Sequence, residues 1–198
     1  MSQNFHKRVY KSRQFFGDIL FLFGRLPSII NAYSSKRVPW PMAEKIMLAV
    51  TAVNGCQHCA RFHGALAHIS GVEAEEITQL LKMEIGKCVN TYERPALQFA
   101  QEYAQTERNP STENILELKR FYGDVIADDI MLYIRLIMLG NLSFNTFDAF
   151  VARLSGKSIS HSRLHDEVII SVLAAPFLAI VNAFAALHKR KLVNRGRC

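Results

Sequence analysis

Glu44, Cys56, His58, Cys59 and His63 fall within a stretch of twenty residues, Glu44-Lys-Ile-Met-Leu-Ala-Val-Thr-Ala-Val-Asn54-Gly55-Cys56-Gln57-His58-Cys59-Ala60-Arg61-Phe62-His63. Two thiols three positions apart can close a small disulfide or share one oxidation event. A carboxylate and two imidazoles supply the proton transfers that such chemistry needs. The same residue types can also hold zinc, since cysteine, histidine and carboxylate together make a tetrahedral site. A structural metal site of that kind is strengthened by a second Cys/His cluster, and the chain has none. Redox chemistry is therefore the leading reading, and no metal, haem or flavin is called for.

The local helix signals say how these groups are presented. Pro41 sits in the opening turn of a helix running to about residue 53, and Asn54-Gly55 stops it, because both residue types tolerate the left-handed conformation of a helix C-terminus. The next helix opens at Cys56 and runs to about residue 70. Both thiols then lie in a first turn, where unpaired N–H groups and the positive end of the helix dipole stabilise a thiolate. A thiolate attacks peroxides and disulfides far faster than a thiol does. His63, four residues after Cys59, shares its helical face. Glu44 comes from the preceding helix, which the tight Asn-Gly turn folds back as an antiparallel neighbour. On helix position alone, Cys56 is the expected exposed nucleophile, as in thioredoxin-type motifs.

Apolar residues elsewhere recur at helical spacing, with no hairpin signal between alternating runs, which defines an all-α chain. Helices are expected at about 15–32 (broken near Pro27), 73–83, 94–105, 111–123, 128–154 (with Gly140-Asn141 as a break) and 166–191. At 198 residues, without linker or repeat, this is one domain. Its parts are a basic N-terminal arm and helix (1–34), a core with the paired cysteines (35–154) and an apolar C-terminal extension (155–198). Residues 168–187 carry no charge and are long enough to span ~30 Å of hydrocarbon. A helix buried all round, in the core or between subunits, has the same composition. Burial is favoured over membrane association, because the flanking charges would orient a span with the thiols on the oxidising side.

The net charge of +7 comes from the two ends, Lys7, Arg8, Lys11 and Arg13 at one and Lys189 to Arg197 at the other, and is read as solvated tails. No basic stripe interleaved with aromatics crosses the middle, so no nucleic-acid partner is expected. Four cysteines are too few for a disulfide scaffold. With no clean signal peptide, they place the chain in the cytoplasm. Cys88 and Cys198 read as incidental thiols, and His161 and His165 as residues of a solvated loop. Arg135, inside an apolar run, is expected to pair with Asp128, Asp129 or a neighbouring subunit.

The pattern Glu44-x11-Cys56-x-His58-Cys59-x3-His63 resembles the alkylhydroperoxidase D family of the carboxymuconolactone decarboxylase-like superfamily. Ala65-Leu66-Ala67 with Gly71, and the segment from Arg94 to Ala100, are similar but less specific. The resemblance covers roughly residues 35–150 and is strongest over 44–71. It implies a helical homo-oligomer, trimeric or hexameric, that reduces organic hydroperoxides or hydrogen peroxide. By that resemblance, Cys59 forms the sulfenic acid, Cys56 donates a proton and resolves it as a disulfide, and Glu44, His58 and His63 form the proton relay. Electrons would come from a dithiol such as dihydrolipoamide or from a redox protein. The alternatives are a disulfide reductase that recharges a separate peroxidase and a zinc-bound structural oligomer. Lactone decarboxylation is disfavoured, because the superfamily's decarboxylases do not need the cysteine pair.

Overall fold

Helix stop signals recur every 10–30 residues along the sequence, and the structure converts nearly all of them into short connections between packed helices. The structure is a computed structural model that describes residues 7–86, 89–159 and 162–195, with side chains of the last helix described as far as residue 183. Cys88, His161, Cys198 and the basic side chains of 189–197 lie outside the described residues. Among the described residues there are nine α-helices and no strand: α1 (Ser12–Gly24), α2 (Leu26–Ser35), α3 (Trp40–Asn54), α4 (Gln57–Ile69), α5 (Ala74–Leu81), α6 (Arg94–Gln105), α7 (Thr112–Tyr122), α8 (Asp124–Leu154) and α9 (Leu164–Arg195).

α3 is the centre. It packs against α4, α5, α6 and α8, and every side chain from Met42 to Thr51 is buried. Two of those are charged, and both are paired. Lys45 Nζ lies 2.9 Å from Glu76 and 2.5 Å from Glu93, tying α3 to α5 and to the start of α6, while Glu44 belongs to the site described below. Burial without such partners would be prohibitive.

α8 is one continuous helix of 31 residues, without the break expected at Gly140-Asn141. Both residues are used by packing instead. Asn141 is fully buried and takes a 3.1 Å hydrogen bond from Thr51 Oγ1, and Gly140 lies against the Phe177 ring of α9. α8 also starts four residues earlier than expected, because Gly123, at φ +77°, ends α7 and lets a new helix begin at once. In the N-terminal region the break falls at Arg25, and Pro27 sits in the first turn of α2, where its missing N–H costs nothing.

Four further expectations are corrected. The basic arm is docked rather than solvated: Lys7 Nζ lies 2.7 Å from Asp148, Arg8 donates to the carbonyls of Ala104 and Gln105, and the Tyr10 N–H donates to Thr146 Oγ1 at 2.9 Å. Arg135 does not pair with Asp128 or Asp129. Its guanidinium lies 3.9 Å from the Phe21 ring centroid, and Asp129 is held by Arg37 at 2.7 Å. His165 is in the first turn of α9 rather than in a loop, exposed and 3.3 Å from Asp166. Finally, α9 is not buried all round by its own chain. Ile170, Ala174, Leu178 and Val181 pack inward, whereas Val172 and Ile180 are 67% and 68% exposed. The start of α9 is fixed by the buried Glu167, which Arg153 of α8 grips with two hydrogen bonds of 2.8 Å.

Candidate active site

The α3–α4 turn holds the thiols. Gly55 adopts φ +65° and its N–H closes α3 on the Thr51 carbonyl at 2.9 Å. α8 braces the turn, since Asn145 Nδ2 donates to the Asn54 carbonyl at 2.8 Å. Cys56 is then the N-cap of α4, and its sulfur accepts the Cys59 N–H at 3.3 Å. The two sulfurs are 2.8 Å apart, reduced and buried. The expectation that Cys56 would be the exposed thiol is therefore corrected: neither cysteine is on the surface.

The two thiols differ in protonation. Burial pushes the Cys56 thiol up, but the Cys59 S–H, the Cys59 N–H and the charge of His58 outweigh it, so Cys56 sits below the usual thiol range. Cys59 is pushed well above that range by burial and by the neighbouring Cys56 sulfur. Of the two, Cys56 is therefore the thiol that gives up its proton first, with the Cys59 S–H beside it to donate to the resulting thiolate.

Glu44 and His63 meet as the antiparallel arrangement of α3 and α4 required. Glu44 is 3% exposed; one of its oxygens lies 2.8 Å from His63 Nδ1, and the other accepts from Trp40 Nε1 at 3.0 Å. His63 and Cys59 together line an apolar cavity of about 270 Å³. Its walls come from α2 (Ile29, Tyr33), α3 (Met47), α4 (Phe62), α8 (Ile137, Phe144) and α9 (Phe177, Val181). Cys56 is not among the lining residues, so a molecule in the cavity meets Cys59.

His58 is separated from that side. Its Nε2 lies 3.1 Å from Asp148 Oδ1 and its Nδ1 3.1 Å from Asn182 Oδ1, and its ring stacks on Phe144 with centroids 5.1 Å apart. The Asp148 carboxylate raises the His58 pKa, and burial offsets only part of that. Asp148 in turn sits below the usual carboxylate range: burial would raise it, but bonds from His58 and Lys7 prevail.

Asp148, Asn182 and Lys7 are contacts that the motif did not disclose. Both Asp148 and Asn182 have a sequence signal in retrospect: Asn182 is an isolated polar residue in an apolar helical run, and Asp148 is the only charged residue between Arg135 and Arg153. The arm and the C-terminal helix, which looked like additions to the core, both reach the site. Among the described residues, no three His, Cys, Asp or Glu side chains converge as a metal-ion site would require.

A buried dithiol at a helix N-terminus and an imidazole–carboxylate pair on the adjoining cavity bring together the groups that thiol redox chemistry uses. The carboxymuconolactone decarboxylase family matches over residues 31–102, which contain all five motif residues. That family includes decarboxylases and alkylhydroperoxidase D-like peroxidases. No curated protein and no solved structure matches the chain significantly.

Proposed function

We propose that the protein is a thiol-dependent hydroperoxidase that reduces organic hydroperoxides and recovers its thiols from an external dithiol. One observation carries this reading: a reduced pair of sulfurs 2.8 Å apart, of which Cys59 alone faces an apolar cavity shared with the Glu44-bound His63.

The cycle starts with transfer of the Cys59 proton to the Cys56 thiolate across their hydrogen bond. The Cys59 thiolate attacks the distal peroxide oxygen, the O–O bond breaks, and Cys59 becomes a sulfenic acid. The departing alkoxide takes a proton from His63, whose Nδ1 is held by Glu44, and leaves as the alcohol. Cys56 attacks the sulfenic sulfur, its proton leaves with the expelled hydroxide as water, and the disulfide closes. A dithiol such as dihydrolipoamide restores both thiols by exchange and departs as its own disulfide. The sum is hydroperoxide plus dithiol giving alcohol, water and disulfide.

The apolar walls favour peroxides with a hydrocarbon body over hydrogen peroxide. Burial of both cysteines argues against the alternative of an adaptor that recharges a separate peroxidase, because a protein disulfide does not reach a sulfur 2% exposed, whereas a small peroxide or dithiol enters the cavity.

The test is consumption of cumene hydroperoxide and of hydrogen peroxide with dihydrolipoamide as reductant. Wild type turns over, faster with cumene hydroperoxide. Cys59→Ser is inactive, and Cys56→Ser consumes one equivalent and accumulates a sulfenic acid that dimedone traps. Reversible dithiol oxidation with no peroxide turnover would move the assignment to the adaptor.

A further inference from the structure

His58 is the one motif residue whose surroundings do not suit proton transfer. A neutral imidazole keeps one nitrogen as an acceptor. Here both ring nitrogens face oxygens, Asp148 Oδ1 and Asn182 Oδ1, each at 3.1 Å. With the Asn182 amide oxygen turned to the ring, as here, the imidazolium donates to both partners and neutral His58 to only one. Stacking on Phe144, with planes 18° apart, also favours the cation.

Lys7 from the arm lies 2.7 Å from Asp148, and Asp148 of α8 lies 3.1 Å from His58. Cys56 caps the start of α4 two residues before His58, whose charge helps to lower the Cys56 thiol. α9 contributes Asn182, which is uncharged. Glu44 and His63 form their own pair. The site thus contains two imidazole–carboxylate pairs with different exposure to the reaction. His63 opens on the cavity that Cys59 lines, and His58 does not line it.

We propose that Asp148 is a positioning residue that, with Asn182, holds His58 as a fixed cation for the Cys56 thiolate, leaving proton movement to His63. The Asp148 charge itself disfavours a Cys56 thiolate, and only through His58 does it favour one. Its consequence for turnover rests on the peroxidase reading; its effect on the titration of His58 and Cys56 does not.

The test compares Asp148→Asn, Asp148→Glu and Lys7→Met. His58 is titrated by NMR of the labelled imidazole. The Cys56 thiolate is titrated by absorbance at ~240 nm, as the difference between each protein and its Cys56→Ser counterpart. In Asp148→Asn the His58 midpoint falls by about one pH unit, and the Cys56 midpoint rises by less, because loss of the direct Asp148 repulsion offsets part of the loss of the His58 charge. Asp148→Glu restores most of both. Lys7→Met, which removes the ion pair to Asp148 but leaves the histidine contact, lowers neither His58 nor its effect on Cys56. Disulfide formation in Asp148→Asn is slow at neutral pH and recovers as pH rises. Unchanged midpoints in Asp148→Asn would overturn the proposal, as would Lys7→Met reproducing its shifts, or a loss of rate that is uniform with pH. If Asp148→Asn does not fold, Asn182→Ala carries the test, with smaller shifts in the same directions expected and their absence decisive against it. A protein that consumes no peroxide in any variant refutes the hydroperoxidase, while the titrations still decide Asp148.

Discussion

Glu44 has the least freedom of any group at the site. It is buried in the most buried helix, and both of its oxygens are committed, one to Trp40 and one to His63. Glu44→Gln keeps the volume and an acceptor for Trp40 but removes the carboxylate that holds His63 Nδ1. Turnover should fall roughly 10²–10⁴-fold, the range for loss of a positioned acid or base, while diamide still oxidises the cysteine pair. His63→Gln should cost about the same, and the double variant little more, because the two act as a unit. Stopped-flow peroxide consumption beside diamide oxidation checks this; full turnover in Glu44→Gln would remove the pair from the mechanism. The five motif residues were legible because their chemistry lies within two adjacent helices joined by a recognisable stop. Which cysteine faces the cavity was not legible from helix position, since that cavity is walled largely by α2, α8 and α9. Asp148, 90 residues from His58 in sequence, was beyond any local pattern.

At the scale of elements, the Asn54-Gly55 turn depends on a helix far along the chain. Asn145, fully buried on α8, donates to the Asn54 carbonyl immediately before the left-handed Gly55. Asn145→Ala leaves that carbonyl buried and unpaired, so it should destabilise the fold by about 1–3 kcal/mol. Urea unfolding followed by circular dichroism measures the loss, and an unchanged midpoint would mean that the turn holds itself. The existence and type of the helices were legible because their periodicity is local. The continuity of α8 was not, because Gly140-Asn141 is a stop signal in an isolated helix. In the folded chain Asn141 bonds Thr51 and Gly140 seats Phe177, so packing overrides the signal. The same limit explains α3 and α9. Composition made α9 the candidate for burial on all sides, yet α3, with charges at Glu44 and Lys45, occupies the centre because each charge finds its partner there.

At the scale of the molecule, α9 leaves an uncovered apolar face. Leu164–Ala183 is long and apolar enough to cross a membrane, but it is tied into the domain. Ile170, Ala174, Leu178 and Val181 pack inward, Glu167 is gripped by Arg153, and Asp166 accepts from the Ser12 N–H at 2.9 Å. A helix lying on an anionic bilayer carries lysine or arginine beside its apolar face, and the apolar stretch Leu164–Ala183 has none, the lysines and arginines of α9 starting only at Lys189. Val172, Leu173, Phe177 and Ile180, each more than half exposed, instead suit the uncharged centre of a protein interface. The expected homo-oligomer should therefore form through this face, beside the cavity wall that Phe177 and Val181 supply. Light scattering on protein in detergent-free buffer should give a multiple of the chain mass, and Val172→Glu with Ile180→Glu should reduce it to the monomer with helicity intact. A wild type that is monomeric without detergent, or that sediments with anionic vesicles, would assign the face to lipid or leave it bare, and the oligomer would be withdrawn.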